Sequence, residues 1–213
     1  MTENIFFVGI AGASGCGKTH LATLLKQAFL DAKISGVEII SSDNYYKPYP
    51  GGKAPDDFNW DVPESIDLPL ITSHLNELRN GKTINVPKYD FLTSQRDPKP
   101  EKSIDGQTTR IVILEGLFVL TDPTLRAMFN LKIFTWLEPD ICLARRLVRD
   151  VQERGCSFTQ TIHQYQTQVK PAYVNFIEPT KKHADIIVST SEYTNSSVSL
   201  DVIKSYVLGK VAA

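Results

Sequence analysis

The segment GASGCGKT, residues 12–19, constrains this chain more than any other feature. It follows an apolar run, IFFVGIA at residues 5–11, that reads as a buried strand. It precedes KTHLATLLKQAFLDA, where Leu21, Leu24, Leu25 and Ala28 recur at helical spacing. Gly12, Gly17, Lys18 and Thr19 fill every defined position of G-x-x-x-x-G-K-[ST], with Ala13, Ser14, Gly15 and Cys16 between them. A loop whose backbone N–H groups point inward around an anion needs glycine at positive φ, and the following helix adds its N-terminal dipole. Lys18 is placed to reach the outer phosphates and Thr19 to offer a hydroxyl to Mg²⁺. The expected anion is a nucleoside triphosphate.

The rest of the chain alternates strand and helix patterns. VEIIS reads as a second strand, IVILEGLFVL as the strongest strand signal, LKIFTWL as a fourth and ADIIVST as the last. Asp67 is an expected N-cap for a helix with Leu68, Ile71, Leu75 and Leu78 on one face, closed by Gly81. Asp140 is the expected cap of a helix carrying ICLARRLVRDVQER. A second helix, through TQTIHQYQTQVKPAYVNFIEP, is expected to bend or break near Pro171, and a last helix follows in SSVSLDVIKSYVLGK. Residues 42–65 read as loop from their Gly, Pro and aromatic content, and residues 82–110 as a hairpin insertion. Apolar strands alternating with helices imply one α/β unit over residues 1–213: a parallel sheet covered on both faces, with ligands at the strands' carboxyl ends.

Composition removes several classes. A formal net charge of -1 argues against a general nucleic-acid or anionic-membrane binder. Cys16, Cys142 and Cys156 are far apart and form neither a C-x-x-C pair nor a zinc spacing. The amino-terminal segment has no basic n-region and its apolar run is too short for a bilayer, so a soluble, cytoplasmic protein is expected. D-x-x-G and N-K-x-D, the marks of a GTPase switch, are missing from the expected places, and a motor or transporter ATPase would be larger. A small-molecule kinase remains, which must build its acceptor site from the same chain.

Such a site needs a base, groups that hold the acceptor, and cations that close over the moving phosphoryl. Asp43 directly follows the second strand, in SSDNYYKPY, and is the candidate base. Glu115 ends the third strand and is a candidate holder of the Mg²⁺ water shell. Arg145, Arg146, Arg149 and Arg154 lie on or just after one helix. The interspersed Asp150 and Glu153 favour a plain solvated face for some of them, whereas the terminating ERG suits a hinged lid over about residues 149–160.

With these residues in place the chain resembles the uridine–cytidine kinase family. The likeness spans about residues 5–188 and is carried by GIAGASGCGKT, DNYYK, VPKYDF, VILEGLFVLTDPTLR, DICLARRLVRDVQERG, QY with VKP, and FIEPTKKHADIIV. The resemblance implies a P-loop kinase core: a five-stranded parallel sheet with helices on both faces, a β-hairpin over the acceptor and a mobile lid. It implies transfer of the γ-phosphoryl of ATP or GTP, with Mg²⁺, to the 5′-hydroxyl of uridine or cytidine, and a homotetramer. By the same resemblance Asp43 is the general base. Asp61 holds the ribose hydroxyls with Arg146 as its partner. Tyr46, Trp60, Tyr89 and Phe91 wall the nucleoside, Gln164 lies near the base, and Arg149 and Arg154 lie near the triphosphate beside Lys18. Ser94 stands where the family has a histidine that contacts the pyrimidine, Cys156 where it has an arginine, and Trp136 where it has a small acidic residue. Two alternatives stay open at this level: a related kinase for another ribosyl or sugar-like acceptor, and a nucleotide-binding regulator with weak kinase activity.

Overall fold

The computed structural model describes residues 5–51, 58–191 and 196–211; the part of the expected loop at residues 52–57 lies outside them. Five strands form a parallel sheet in the order β2-β5-β1-β6-β7. They are β1 (Phe6–Gly12), β2 (Val37–Ser41), β5 (Ile111–Glu115), β6 (Leu131–Trp136) and β7 (Ile186–Ser189). β3 (Thr83–Asp90) and β4 (Gln95–Asp105) make a separate antiparallel hairpin.

Residue alternation sorts the two faces. Phe6, Val8 and Ile10 of β1 point to one side. There they pack with Leu21, Leu25 and Phe29 of α1 (Lys18–Asp31) and with Ile203 and Val207 of α7 (Ser196–Val211). Phe7 and Ala11 point to the other side, towards Ile71, Leu75 and Leu78 of α2 (Leu68–Arg79) and Ile84, Val86 and Ile104 of the hairpin. Asp67 caps α2 as expected, its carboxylate accepting from the Leu70 N–H at 3.2 Å. Leu75 is fully buried, so Leu75→Ala costs about 2–5 kcal/mol.

The strand register brings the chemistry together. Ser41 of β2 lies opposite Glu115 of β5, Glu115 opposite Ile10 of β1, and Gly12 opposite Thr135 of β6. The carboxyl ends of four strands therefore meet at the central crevice where the strand order reverses.

Three expectations change. The apolar run IVILEGLFVL is strand only to Glu115; beyond it Phe118, Val119 and Leu120 are buried in a turn, so apolar character there reports core and not sheet. Asp140 does not cap its helix. α4 (Pro139–Glu153) starts from Glu138, and Pro139 takes the first turn, where its missing N–H costs nothing. Asp140 lies inside that turn. The interruption expected near Pro171 takes the form of π turns and not of a chain break. α5 (Phe158–Gln164) runs through a π turn (Tyr165–Val169), α6 (Lys170–Ala172) and a second π turn (Tyr173–Ile177), so wider turns flank the proline. α3 (Pro123–Arg126) is a single turn. Among the described residues no helix is long and apolar enough to cross a membrane.

Candidate active site

The loop at residues 12–19 wraps an anion-sized hollow at the end of β1. Gly15 has φ 80° and a Cβ there would run into the Cys142 carbonyl; Gly17 has φ 89° and hands the chain to α1. No side chain caps α1, which leaves its first N–H groups to an anion. Lys18 arches back, its Nζ donating to the Ala13 carbonyl at 2.8 Å. Cys16 is buried, and its Sγ shares a 2.8 Å hydrogen bond with Thr135 Oγ1. The Thr190 hydroxyl donates to the Cys16 carbonyl. The loop is thus pinned from β6 and from the end of β7, while Gly12, Ala13, Gly15, Cys16 and Gly17 offer backbone rather than side chains.

Beside it Thr19 Oγ1 donates to Glu115 Oε1 at 3.1 Å. Glu115 is buried, and burial raises its carboxyl above the usual range, with Lys18 opposing and Asp43 reinforcing the shift. A buried carboxylate paired with a hydroxyl at a phosphate loop suits Mg²⁺, which keeps several waters and takes one or two protein oxygens beside the phosphates. Asp43 sits in the 3₁₀ turn Ser42–Tyr45, its N–H donating to Ser41 Oγ at 3.3 Å. Arg96, which the sequence did not single out, holds this turn. Its guanidinium donates to the carbonyls of Tyr46 at 2.9 Å and Tyr45 at 3.0 Å, and to Asp67.

Three of the four arginines on or just after α4, Arg146, Arg149 and Arg154, are not a solvated face. Asp150 is 2% exposed. Its carboxylate meets Arg146 Nε at 3.1 Å, Arg149 at 2.8 Å and Arg154 at 3.7 Å. The expectation that Asp150 marks a surface helix is therefore reversed: it is the buried anion that gathers three cations. Their positions relative to Asp150, i−4, i−1 and i+4, were the available signal. Arg146 and Arg149 also donate to Ser14 Oγ of the phosphate loop, at 3.0 and 3.5 Å. Arg154 lies 3.8 Å from Asp43 and stacks 4.1 Å above the Phe91 ring, so it ties the end of α4 to the β2 end and the hairpin turn.

On the acceptor side Tyr46 is the centre of an aromatic wall. Its ring lies 6.0 Å from Trp60, 5.3 Å from Tyr89 and 5.9 Å from Phe91. Asp61 is buried; burial raises its carboxyl, and Arg146 opposes the shift. Ser94 takes φ 54° in the hairpin turn; burial raises the Tyr89 phenol and the neighbouring Ser94 side chain opposes that shift. One cavity of about 370 Å³ is lined by Lys18, Thr19, Asp43, Glu115, Asp61 and the arginines, together with the aromatic wall, Ser94 and Gln164. All the side chains singled out for catalysis, metal or acceptor in the sequence converge there. Arg145 does not line it and faces a shallow surface hollow. Cys156 and two further glutamines, Gln160 and Gln168, complete the lining.

A triphosphate-type loop, a buried carboxylate at its Thr and a cavity with an aromatic wall define a phosphotransferase of the P-loop class. The model of the phosphoribulokinase/uridine kinase family matches residues 7–196, and the chain belongs to that family. It is 40% identical over 199 residues to a uridine kinase from Lactobacillus johnsonii, covering 92% of this chain and 90% of that one. It is 37% identical over 205 residues to a uridine kinase from Brevibacillus brevis, covering 95% and 92%. The solved structure of a possible uridine kinase from Bacillus stearothermophilus superposes with TM-score 0.64 at 20% identity, covering 88% and 90%; at that identity the likeness shows the fold.

Proposed function

We propose that this chain is a nucleoside kinase that moves the γ-phosphoryl of ATP or GTP to the 5′-hydroxyl of uridine or cytidine. The observation that carries the reading is the single cavity in which Lys18, Thr19 and Glu115 face Asp43 across from an aromatic wall and a buried carboxylate. The first group suits a triphosphate and its cation. The second suits a flat base and a ribose diol.

In this reading Asp43 accepts the 5′-hydroxyl proton, the oxygen attacks the γ-phosphorus, and the bond to the bridging oxygen breaks to release the nucleoside diphosphate. Lys18 and the inward N–H groups of the loop neutralise charge growing at the bridge. Arg154, between Asp43 and Asp150, faces the transferring group from the lid side. Arg149 supports it, and Arg146 with Asp61 holds the ribose. Thr19 and Glu115 would hold Mg²⁺ through its water shell, and the ion would supply neutralisation of phosphate charge. Residues 149–160 act as the lid and residues 82–110 as the acceptor hairpin. A homo-oligomer belongs to the same proposal, supported by apolar residues left exposed on α7 (Val198, Val202 and Tyr206).

The test is a coupled assay of nucleoside diphosphate release across uridine, cytidine, purine nucleosides and sugar phosphates. Turnover with the two pyrimidine ribonucleosides above the others supports the reading. Turnover only with sugar acceptors, or with none, overturns it.

A further inference from the structure

Gln160, Gln164 and Gln168 all line the cavity, at four-residue spacing on one helical segment. The three are half-buried, while their neighbours His163, Gln166 and Thr167 are exposed. An α-helix keeps residues i, i+4 and i+8 on one broad face. At about 100° per residue, Gln168 would lie about 80° round the axis from Gln160. The π turn Tyr165–Val169 takes more residues per revolution and narrows that drift, which draws Gln168 further into line with the other two.

The stripe is about 12 Å long, at 1.5 Å per residue, so its ends serve different parts of a ligand. Gln160 lies one turn from Cys156 at the lid. Gln168 sits between Tyr165 and Val169, which share a small adjoining hollow with Asp61 and Leu117 on the acceptor side. Among the described residues, none of the three amides is hydrogen-bonded to another protein group.

We infer that Gln168, working with Gln164, is a specificity-determining residue that reads the polar edge of the acceptor base through its free amide. The inference rests on the nucleoside reading above. The aromatic wall holds any flat ring and discriminates little. The Ser94 side chain lies beside the Tyr89 phenol and is short. An amide carries a donor and an acceptor side by side and can turn over. It therefore meets both the N3–H and O4 of uracil and the N3 and N4 amine of cytosine. The π turn tightens the line of the three amides along the cavity.

The experiment compares wild type with Gln168→Leu, similar in size but without the amide. kcat/KM is measured for uridine, for cytidine and for a phenyl riboside, whose ring has no polar edge, and the thermal midpoint is measured alongside. The expected result is a fall of about tenfold or more for uridine and cytidine, the scale of one lost hydrogen bond. It is carried mainly by KM, with the phenyl riboside and the midpoint unchanged. Gln168→Met carries the same expectation should the leucine variant fold poorly. Equal losses for all three acceptors would place Gln168 on the ribose or the scaffold and overturn the inference, as would no loss at all. A wild type inactive on both pyrimidine nucleosides would instead overturn the nucleoside reading itself, and this inference with it.

Discussion

Asp150→Asn is the perturbation that most directly tests how the cations are held. The substitution keeps shape and removes the one negative charge that three guanidinium groups share. Arg146 and Asp150 have side chains 8% and 3% exposed, so their pair is buried. Breaking a buried pair from one side costs about 3–5 kcal/mol. Arg149 and Arg154 are 31% and 23% exposed, and their solvent-screened contacts add at most about 1 kcal/mol each. For a chain of this length each kcal/mol moves the midpoint about 2–4 °C, so a loss of about 3–7 kcal/mol lowers it by about 6–28 °C. Differential scanning calorimetry measures it. A second scan with excess nucleoside triphosphate should recover more of the midpoint in the variant than in wild type, because a bound polyanion takes over the neutralisation. A loss under about 1 kcal/mol, or equal recovery by the triphosphate in both proteins, would refute the reasoning that one buried carboxylate organises the cluster.

Asp43→Asn should lower kcat by about 10²–10⁴ with nucleotide affinity kept, the range for a general base; a variant within about threefold of wild type removes Asp43 from that role. Asp61, raised by burial, binds its proton more readily folded than unfolded, so its contribution to stability is fullest at low pH and is lost as pH rises through the folded value. Asp61→Asn should therefore melt above wild type near about pH 8 and lose that margin towards about pH 4, while KM for the nucleoside rises; a margin that grows on acidification would contradict the shift. Cys156→Arg adds a cation to the cavity wall beside Arg154, and at about 1.5–3 kcal/mol per charge-assisted bond kcat/KM should rise about tenfold, with stopped-time product assays showing no gain if the lid is arranged around cysteine.

The sequence by itself determined the phosphate loop, the parallel sheet and the positions of Asp43 and Glu115. Each depends on short-range rules. The loop needs glycine at positive φ before a helix, and Gly15 and Gly17 adopt it. The strands are apolar on both faces, and a polar residue after a strand falls at its carboxyl end whatever the rest of the chain does. The aromatic wall and Asp61 were legible only through resemblance, because the loop that carries Trp60 and the hairpin that carries Tyr89 have no local signal for meeting.

Tertiary structure alone decided three matters. Asp150 could be assigned only once α4 was packed against Ser14 of the loop, since burial turned an apparent surface carboxylate into a shared counter-ion. Arg96 acquired its purpose when the hairpin folded over the Asp43 turn, fifty residues away in sequence. The four-residue spacing of Gln160, Gln164 and Gln168 was readable in the sequence, but only the packed helix showed that the face they share is the one that lines the cavity. Local backbone preference travels with the sequence, whereas charge burial and helix phase are set by what packs against them.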